Sequence, residues 1–226
     1  MKSAIIFDFN GTLFWDFEEH YSAWNEMSQK YRGKDLTREE FSTQLFGKNN
    51  RATLEYLLKR TISDEEIEAL STEKEEKYLA ICEKESLTSG LHLAPGAVEL
   101  LRYLCDHHIP HAIATSAGEQ NVLFYRKIFN LDNFFEVNHI IYDRDGLPSK
   151  PDPALYNLAI NSLGVNPSDC IVFEDAKNGI LSAKNAGIDT IFAIGPKDKH
   201  PLLEKIEGVT KALVDFNEFD RSIISI

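Results

Sequence analysis

Four short stretches carry most of the reactive side chains in this sequence. Residues 5–16 read IIFDFNGTLFWD, an apolar run that ends on Asp8 and turns at Gly11-Thr12. IATSAG at 113–118 presents the hydroxyls of Thr115 and Ser116, SKPDP at 149–153 presents Lys150, and VFEDAKNG at 172–179 presents Glu174 and Asp175. A carboxylate nucleophile, hydroxyls beside N–H groups, a cation and an acidic pair suit reaction at a phosphorus atom better than at a carbonyl. Because Asp8 and a phosphate dianion repel, attack requires positive charge gathered from Lys150 and a divalent cation. The carboxylates of Asp8, Glu174 and Asp175 are hard oxygen donors of the kind Mg2+ takes, usually with retained waters. Gly11 permits a tight turn, which is expected to bring backbone N–H groups to the phosphate oxygens.

These side chains can act together only if the chain carries them to one edge. Past Pro95-Gly96 the pattern alternates: helix 97–106, strand 110–115, helix 119–128, strand 139–142, helix 153–163, strand 170–174, helix 177–186, strand 190–194. With the first strand ending at Asp8, this βα alternation predicts an α/β fold with a parallel sheet covered on both faces, its ligands beyond the carboxyl ends of the strands. From Glu18 to about Glu85 only helical spacing is present, rich in Glu and Lys, with breaks near Gly33, Gly47 and Ser63. Thr37-Arg-Glu-Glu and Ser63-Asp-Glu-Glu read as capping boxes that open helices within it. The expected organisation is a core domain of residues 1–14 and 94–226 and a four-helix cap of residues 15–93, hanging over the strand ends.

Composition narrows the partners. The 226 residues, 43% hydrophobic, are enough for one α/β domain with a sizeable insertion. A formal net charge of -12, from 36 acidic and 24 basic residues, repels nucleic acid and anionic membrane, so a small-molecule partner is expected. Cys82, Cys105 and Cys170 are odd in number and scattered, without a CxxC pair, which points to a reducing compartment. The apolar run at 4–7 is too short for a signal segment and no stretch has the length of a membrane span. A cytoplasmic monomer is expected. Internal repeats and low-complexity tracts are absent from the sequence.

In order and spacing, FDxNGTL, IATSAG, SKPDP and FEDAKNGILSAKNAG resemble the haloacid dehalogenase superfamily, and within it the capped phosphatases and phosphomutases such as β-phosphoglucomutase and sugar-phosphate phosphatases. The likeness spans nearly the whole chain. It implies a Rossmann-like core, an aspartyl-phosphate on Asp8, a phosphate-binding hydroxyl on Thr115 with Ser116 and Gly11 beside it, and a lysine, Lys150, that neutralises nucleophile and phosphate. It implies Mg2+ held by Asp8, Glu174, Asp175 and the backbone carbonyl of Asn10. In the cap, His20 and Lys74 fall at substrate-facing positions of the mutase, whereas Phe46 and Asn50 stand where the mutase has basic residues for a second phosphate. That favours hydrolysis over mutase activity, with Lys48 or Arg51 as substitutes by a shift of one or two residues. The dehalogenase branch works without magnesium and lacks the acidic pair.

Asn10 departs from the family pattern. The residue two after the nucleophile serves there as general acid and base, help worth roughly 10² to 10⁴ in rate, and an amide can neither give nor take a proton. The expected function is a Mg2+-dependent phosphatase of a small, sugar-like phosphorylated metabolite, slow or selective for leaving groups that need no proton. Alternatives are a phosphomutase like β-phosphoglucomutase, a non-catalytic module that binds a phosphorylated metabolite, an engineered trapping change, and cleavage of a C–P bond with Lys48 as a Schiff-base lysine.

Each residue also has a plainer interpretation. Asp8 could form a turn, Thr115 and Ser116 could cap the next helix, Lys150 could be solvated, and Glu174 and Asp175 could serve a helix dipole. IIYDRDG at 140–146 repeats the shape of the first motif but has Leu147 where Thr is wanted, and reads as a turn or flap. His107, His108 and His111 lack regular ligand spacing and are expected at the surface. Trp24 is expected in the core, and Trp15 is open to either core or pocket.

Overall fold

The structure is a computed structural model that describes residues 3–46, 48–142 and 147–224. The chain forms two compact units, Met1–Trp15 with His92–Ile226, and Asp16–Leu91.

The first unit is built on six parallel strands: β1 (Ala4–Phe7), β2 (His111–Thr115), β3 (Ile140–Tyr142), β4 (Cys170–Glu174), β5 (Ile191–Ile194) and β6 (Val209–Leu213), in the order β3-β2-β1-β4-β5-β6. The central strands β1, β2 and β4 are buried along their whole length, as continuous apolar runs covered on both faces must be. Register sets the site. Phe7 lies level with Ile113 of β2 and Phe173 of β4, so the next residue of each strand, Asp8, Ala114 and Glu174, comes out level at the carboxyl edge. The Asp8 N–H donates to the Phe173 carbonyl at 3.0 Å and extends the ladder by that one step. Helices α5 (Ala97–Asp106), α6 (Glu119–Ile128), α7 (Ala154–Leu163), α8 (Lys177–Asn185) and the short α9 (His200–Leu203) complete the unit. One face of the sheet packs Ile6, Ala114 and Val172 against Tyr156, Ile160 and Ile180. Elsewhere Phe7 stacks on Phe173, and Phe216 meets both rings edgewise or tilted, at 5.0–5.9 Å between ring centroids.

The strand β6 is absent from the expectation. Its sequence, VTKAL, places Thr210 and Lys211 in solvent on an edge strand that pairs with β5 through an irregular register, so neither an apolar run nor a clean alternation announces it. His111 corrects the surface assignment of the histidine cluster: it is buried in β2, with its ring nitrogens 2.7 and 2.8 Å from the Ile109 and Phe134 carbonyls. His107 and His108 are exposed. The strand β3 takes up residues 140–142 of IIYDRDG, and the remainder of that motif lies outside the described residues.

The second unit holds four α-helical segments among the described residues: α1 (Phe17–Arg32), α2 (Arg38–Glu40), α3 (Asn50–Leu58) and α4 (Asp64–Thr88). Both openings form as N-caps, Thr37 accepting from the Glu40 N–H at 3.0 Å and Ser63 from the Glu66 N–H at 3.2 Å, while the Glu40 and Glu66 carboxylates bind Arg32 and Arg60. Asn49 caps α3 in the same way. After α2 the chain widens into a π-helical turn, Phe41–Leu45, where the hydroxyls of Ser42 and Thr43 both donate back to the Glu39 carbonyl and compete with the regular backbone ladder. The core of this unit gathers Trp24, Met27, Leu36, Phe41, Leu54 and Ile62, with Trp24 inside as expected. Trp15 is 44% exposed. Among the described residues, no helix is long and apolar enough to cross a membrane.

Candidate active site

At the carboxyl edge of the sheet, Lys150 binds the ends of three strands together. Its Nζ donates to Asp8 Oδ1 at 2.7 Å, to Glu174 Oε1 at 2.6 Å and to the Ala114 carbonyl at 3.3 Å, and it lies 5.2 Å from the centre of the Tyr156 ring. The loop that delivers it is fastened to α8, where Ser182 Oγ donates to the Asp152 carbonyl and Asn185 Nδ2 to that of Pro151. Lys150 is therefore not a solvated loop lysine. Glu174 has both oxygens engaged: Oε1 by Lys150 and the Tyr156 hydroxyl, Oε2 by the N–H groups of Asp175 and Ala176 at the head of α8.

Asp8, Glu174 and Asp175 each offer an oxygen within 4.8 Å of the others, a cluster that could hold a metal ion. The backbone makes room for it. A Cβ on Gly11, whose φ is +79°, would stand 2.2 Å from Asp175 Oδ2, and one on Gly179 would stand 1.7 Å from Glu174 Oε1. The Gly11 N–H donates to the Phe14 carbonyl and that of Thr12 to Phe9, so these donors close the turn instead of reaching for a ligand. What the missing side chain at residue 11 secures is the close approach of Asp175.

Three carboxylates face one ammonium among the described residues, and the electrostatics show the imbalance. Burial, followed by the neighbouring charge of Glu174, pushes the Asp8 carboxyl up to about 7, against the opposing pull of Lys150 and of the Phe9 N–H. Burial alone would depress the Lys150 ammonium, yet the charges of Asp8 and Glu174 outweigh it and hold that group above the ordinary lysine value. Burial, together with the charge of Glu174, lifts the Tyr156 phenol well above its usual range. Hard oxygen donors with excess negative charge in a largely buried cluster are what Mg2+ takes, so the residues present fit that ion.

The remaining expected residues fall as follows. Thr115 closes β2, is buried, and accepts the Ala117 N–H at 3.1 Å; Ser116 follows it in solvent. Asn10 donates from Nδ2 to the Tyr125 hydroxyl at 2.8 Å. In the helical unit, Lys74 is buried, its Nζ 3.0 Å from His20 Nδ1, while His20 Nε2 lies 3.1 Å from Asp16 Oδ2. The Tyr78 hydroxyl donates to that same Asp16 oxygen at 2.7 Å. Lys48 is exposed, above the Tyr56 ring, and is brought to none of these groups. Sequence reasoning missed Tyr125, Tyr156, Asp16 and Tyr78, because an aromatic at helical spacing reads as core and nothing marks the one whose hydroxyl reaches a polar group.

Residues 5–193 match the family model of the haloacid dehalogenase-like hydrolases. The chain belongs to that family. Among the relatives of this haloacid dehalogenase-like hydrolase is a phosphorylated carbohydrates phosphatase of Thermotoga maritima, 28% identical over 84% of each chain. The β-phosphoglucomutase of Bacillus subtilis is 30% identical over 88% of this chain and 85% of its own. A haloacid dehalogenase (HAD) hydrolase of Entamoeba histolytica, family IA variant 3, superposes with a TM-score of 0.89 at 36% identity, covering 98% of this chain and 96% of that one.

Proposed function

We propose that the protein is a Mg2+-dependent phosphatase that takes a phosphoryl group from a small, sugar-like phosphorylated metabolite onto Asp8 and releases it to water. The observation that carries this reading is the clamp of Lys150 on Asp8 and Glu174 beside Asp175. Asp8 is the nucleophile. Lys150 fixes one of its oxygens, offsets its charge and offers the incoming phosphate a cation; Glu174, held by Tyr156 and by two backbone N–H groups, keeps Lys150 aimed. Thr115 and Ser116 supply hydroxyls at the neighbouring strand end. Mg2+, bound by Asp8, Glu174, Asp175 and the Asn10 carbonyl, would neutralise charge between nucleophile and phosphate. Supporting the substrate class are the named activities of the relatives, both of which act on phosphorylated sugars by name.

A phosphomutase is the second reading, favoured by the likeness to β-phosphoglucomutase. Against it, Arg51 is committed to the Ile62 carbonyl and the Asp64 carboxylate, and Phe46 packs on Phe17 and Phe41, which leaves the expected place of a second phosphate poor in cations. His20 and Lys74 are the proposed substrate-side polar pair of the helical unit. Phosphate release measured across a panel of phosphorylated metabolites, with Mg2+ and with a chelator, tests the first reading: Mg2+-dependent release from hexose phosphates is expected, and no release from any member contradicts it. β-Glucose 1-phosphate with a trace of bisphosphate separates the two, since glucose 6-phosphate without free phosphate would select the mutase.

A further inference from the structure

The three hydrogens of the Lys150 ammonium are all in use, on Asp8, on Glu174 and on the Ala114 carbonyl. A phosphate drawn to that ammonium must take over one of them, so the bonds at Nζ are exchanged during the reaction and the lysine's place is then set by its backbone. Among the described residues, the backbone of 149–153 is tied to another element through two side chains of α8: Ser182 Oγ donates to the Asp152 carbonyl at 2.6 Å, and Asn185 Nδ2 to the Pro151 carbonyl at 3.0 Å. A serine inside a helix usually turns its hydroxyl back onto the carbonyl four residues earlier. That of Ser182 instead reaches 30 residues back along the chain, from a fully buried position. Ser182 and Asn185 stand three residues apart, on one face of α8, and hold two consecutive carbonyls directly after Lys150. The head of the same helix gives the Asp175 and Ala176 N–H groups to Glu174 Oε2, and Gly179 lets that carboxylate lie against it. Cation and acidic pair are thus referenced to one rigid element.

We infer that Ser182 and Asn185 are positioning residues for phosphoryl transfer, a latch that holds the loop behind Lys150 against α8 while the ammonium changes partners. The inference rests on the reading above that Asp8 takes the phosphoryl group. Neither side chain touches the reacting atoms; each acts through the lysine. With the latch open, every exchange at Nζ lets the loop drift, and misplacement of about 1 Å can cost as much as 10² in rate. The two bonds differ in weight. Ser182 donates from inside the protein, where the bond is shielded, whereas Asn185 is exposed and water replaces its amide at little cost. Ser182 therefore carries the larger share.

Two readouts test it. Brief exposure to the N-hydroxysuccinimide ester of acetic acid, mapped by peptide mass, reports how often Lys150 leaves its site. In Ser182→Ala, Lys150 is expected to be acetylated about ten-fold faster than in the parent, and in Asn185→Ala about three-fold faster, while Lys74, buried in the helical unit, keeps its parent rate. Phosphate release from acetyl phosphate and hexose phosphates in Mg2+ should fall about ten-fold in Ser182→Ala. In the Lys150→Met background Ser182→Ala should cost nothing more, because the hydroxyl acts only through the lysine. An unchanged acetylation rate at Lys150 overturns the inference, as does an equal rise at Lys74 or a further loss of turnover in the Lys150→Met background. Should Ser182→Ala not fold, the isosteric surface change Asn185→Asp decides, and acetylation of Lys150 at the parent rate there is fatal. A parent that turns over no phosphorylated substrate removes the phosphatase reading instead, and acetylation of Lys150 still decides whether the latch holds it.

Discussion

Two lysines held largely out of solvent anchor networks of similar size and different charge balance. Lys150 faces Asp8 and Glu174, with Asp175 in the same cluster, so negative charge is in excess. Lys74, in the helical unit, pairs with Glu75 and His20 and sits against the rings of Trp24 and Tyr78, while Asp16 is answered by His20 and Tyr78. The first network has its geometry set by backbone: three strand ends in register and a loop tied to α8. The second is set by side chains spaced along two helices. The difference teaches that an over-charged cluster fixed by backbone could hold a cation, whereas a relay of donors and acceptors carried on two helices also ties those helices together.

The largest test of that contrast exchanges the two lysines for uncharged residues. Lys150→Met should lower turnover by about 10³ and, in metal-free protein, destabilise it by about 3 kcal/mol, because two buried carboxylates lose their shared partner. Lys74→Met should cost less in a thermal or urea melt, about 1 kcal/mol, since the methionine fills the same aromatic pocket and Glu75 is half-exposed. Equal losses would erase the distinction.

Asn10→Asp sharpens the chemistry of the first network. Restoring a carboxyl should raise turnover of alkyl phosphates, which need a protonated leaving group, by about 10² and leave acetyl phosphate nearly unchanged. A uniform gain on both substrates would mean that the substitution acts on binding.

Both units also contain a carboxyl group raised to about 7: Asp8, by burial and by Glu174, and Glu19, by burial and by the neighbouring Glu85 and Asp16. Each holds a proton when folded that the unfolded chain releases from the ordinary carboxylate range upward, so the stability of the metal-free protein falls as pH rises from about 4 to about 7. Melts in chelator across that window should show the decline. Mg2+ should remove the share due to Asp8, and Glu19→Gln should remove the share from the helical unit; a response of both shares to Mg2+ would contradict their separation. The smallest effect is Ser63→Ala, which deletes the cap of α4 and should cost about 1 kcal/mol, without changing phosphoenzyme formation.

The same contrast explains what the sequence made legible. Helices 97–106 and 119–128 and strand 170–174 fall where apolar periodicity puts them, and since parallel strands bring successive carboxyl ends to one edge, motif residues at those ends are readable as a group. Asp16 and Tyr78 were not, because their meeting depends on how α4 packs on α1, which spacing along one helix does not encode. Tyr125 and Tyr156 were hidden by the same ambiguity between a core ring and a ring with a working hydroxyl. The edge strand β6 lacked pattern, and His111 was hidden because an imidazole bonded to two carbonyls looks, in sequence, like any histidine.

The central claim is that Asp8, held by Lys150 within the acidic cluster, accepts phosphorus. Acid-quenched protein after brief exposure to acetyl phosphate and Mg2+, mapped by peptide mass, tests it most directly. A phosphoryl adduct on Asp8 that is missing in Asp8→Asn and in chelator is the predicted result. Phosphate release that continues in Asp8→Asn, or an adduct on any other residue, contradicts the account.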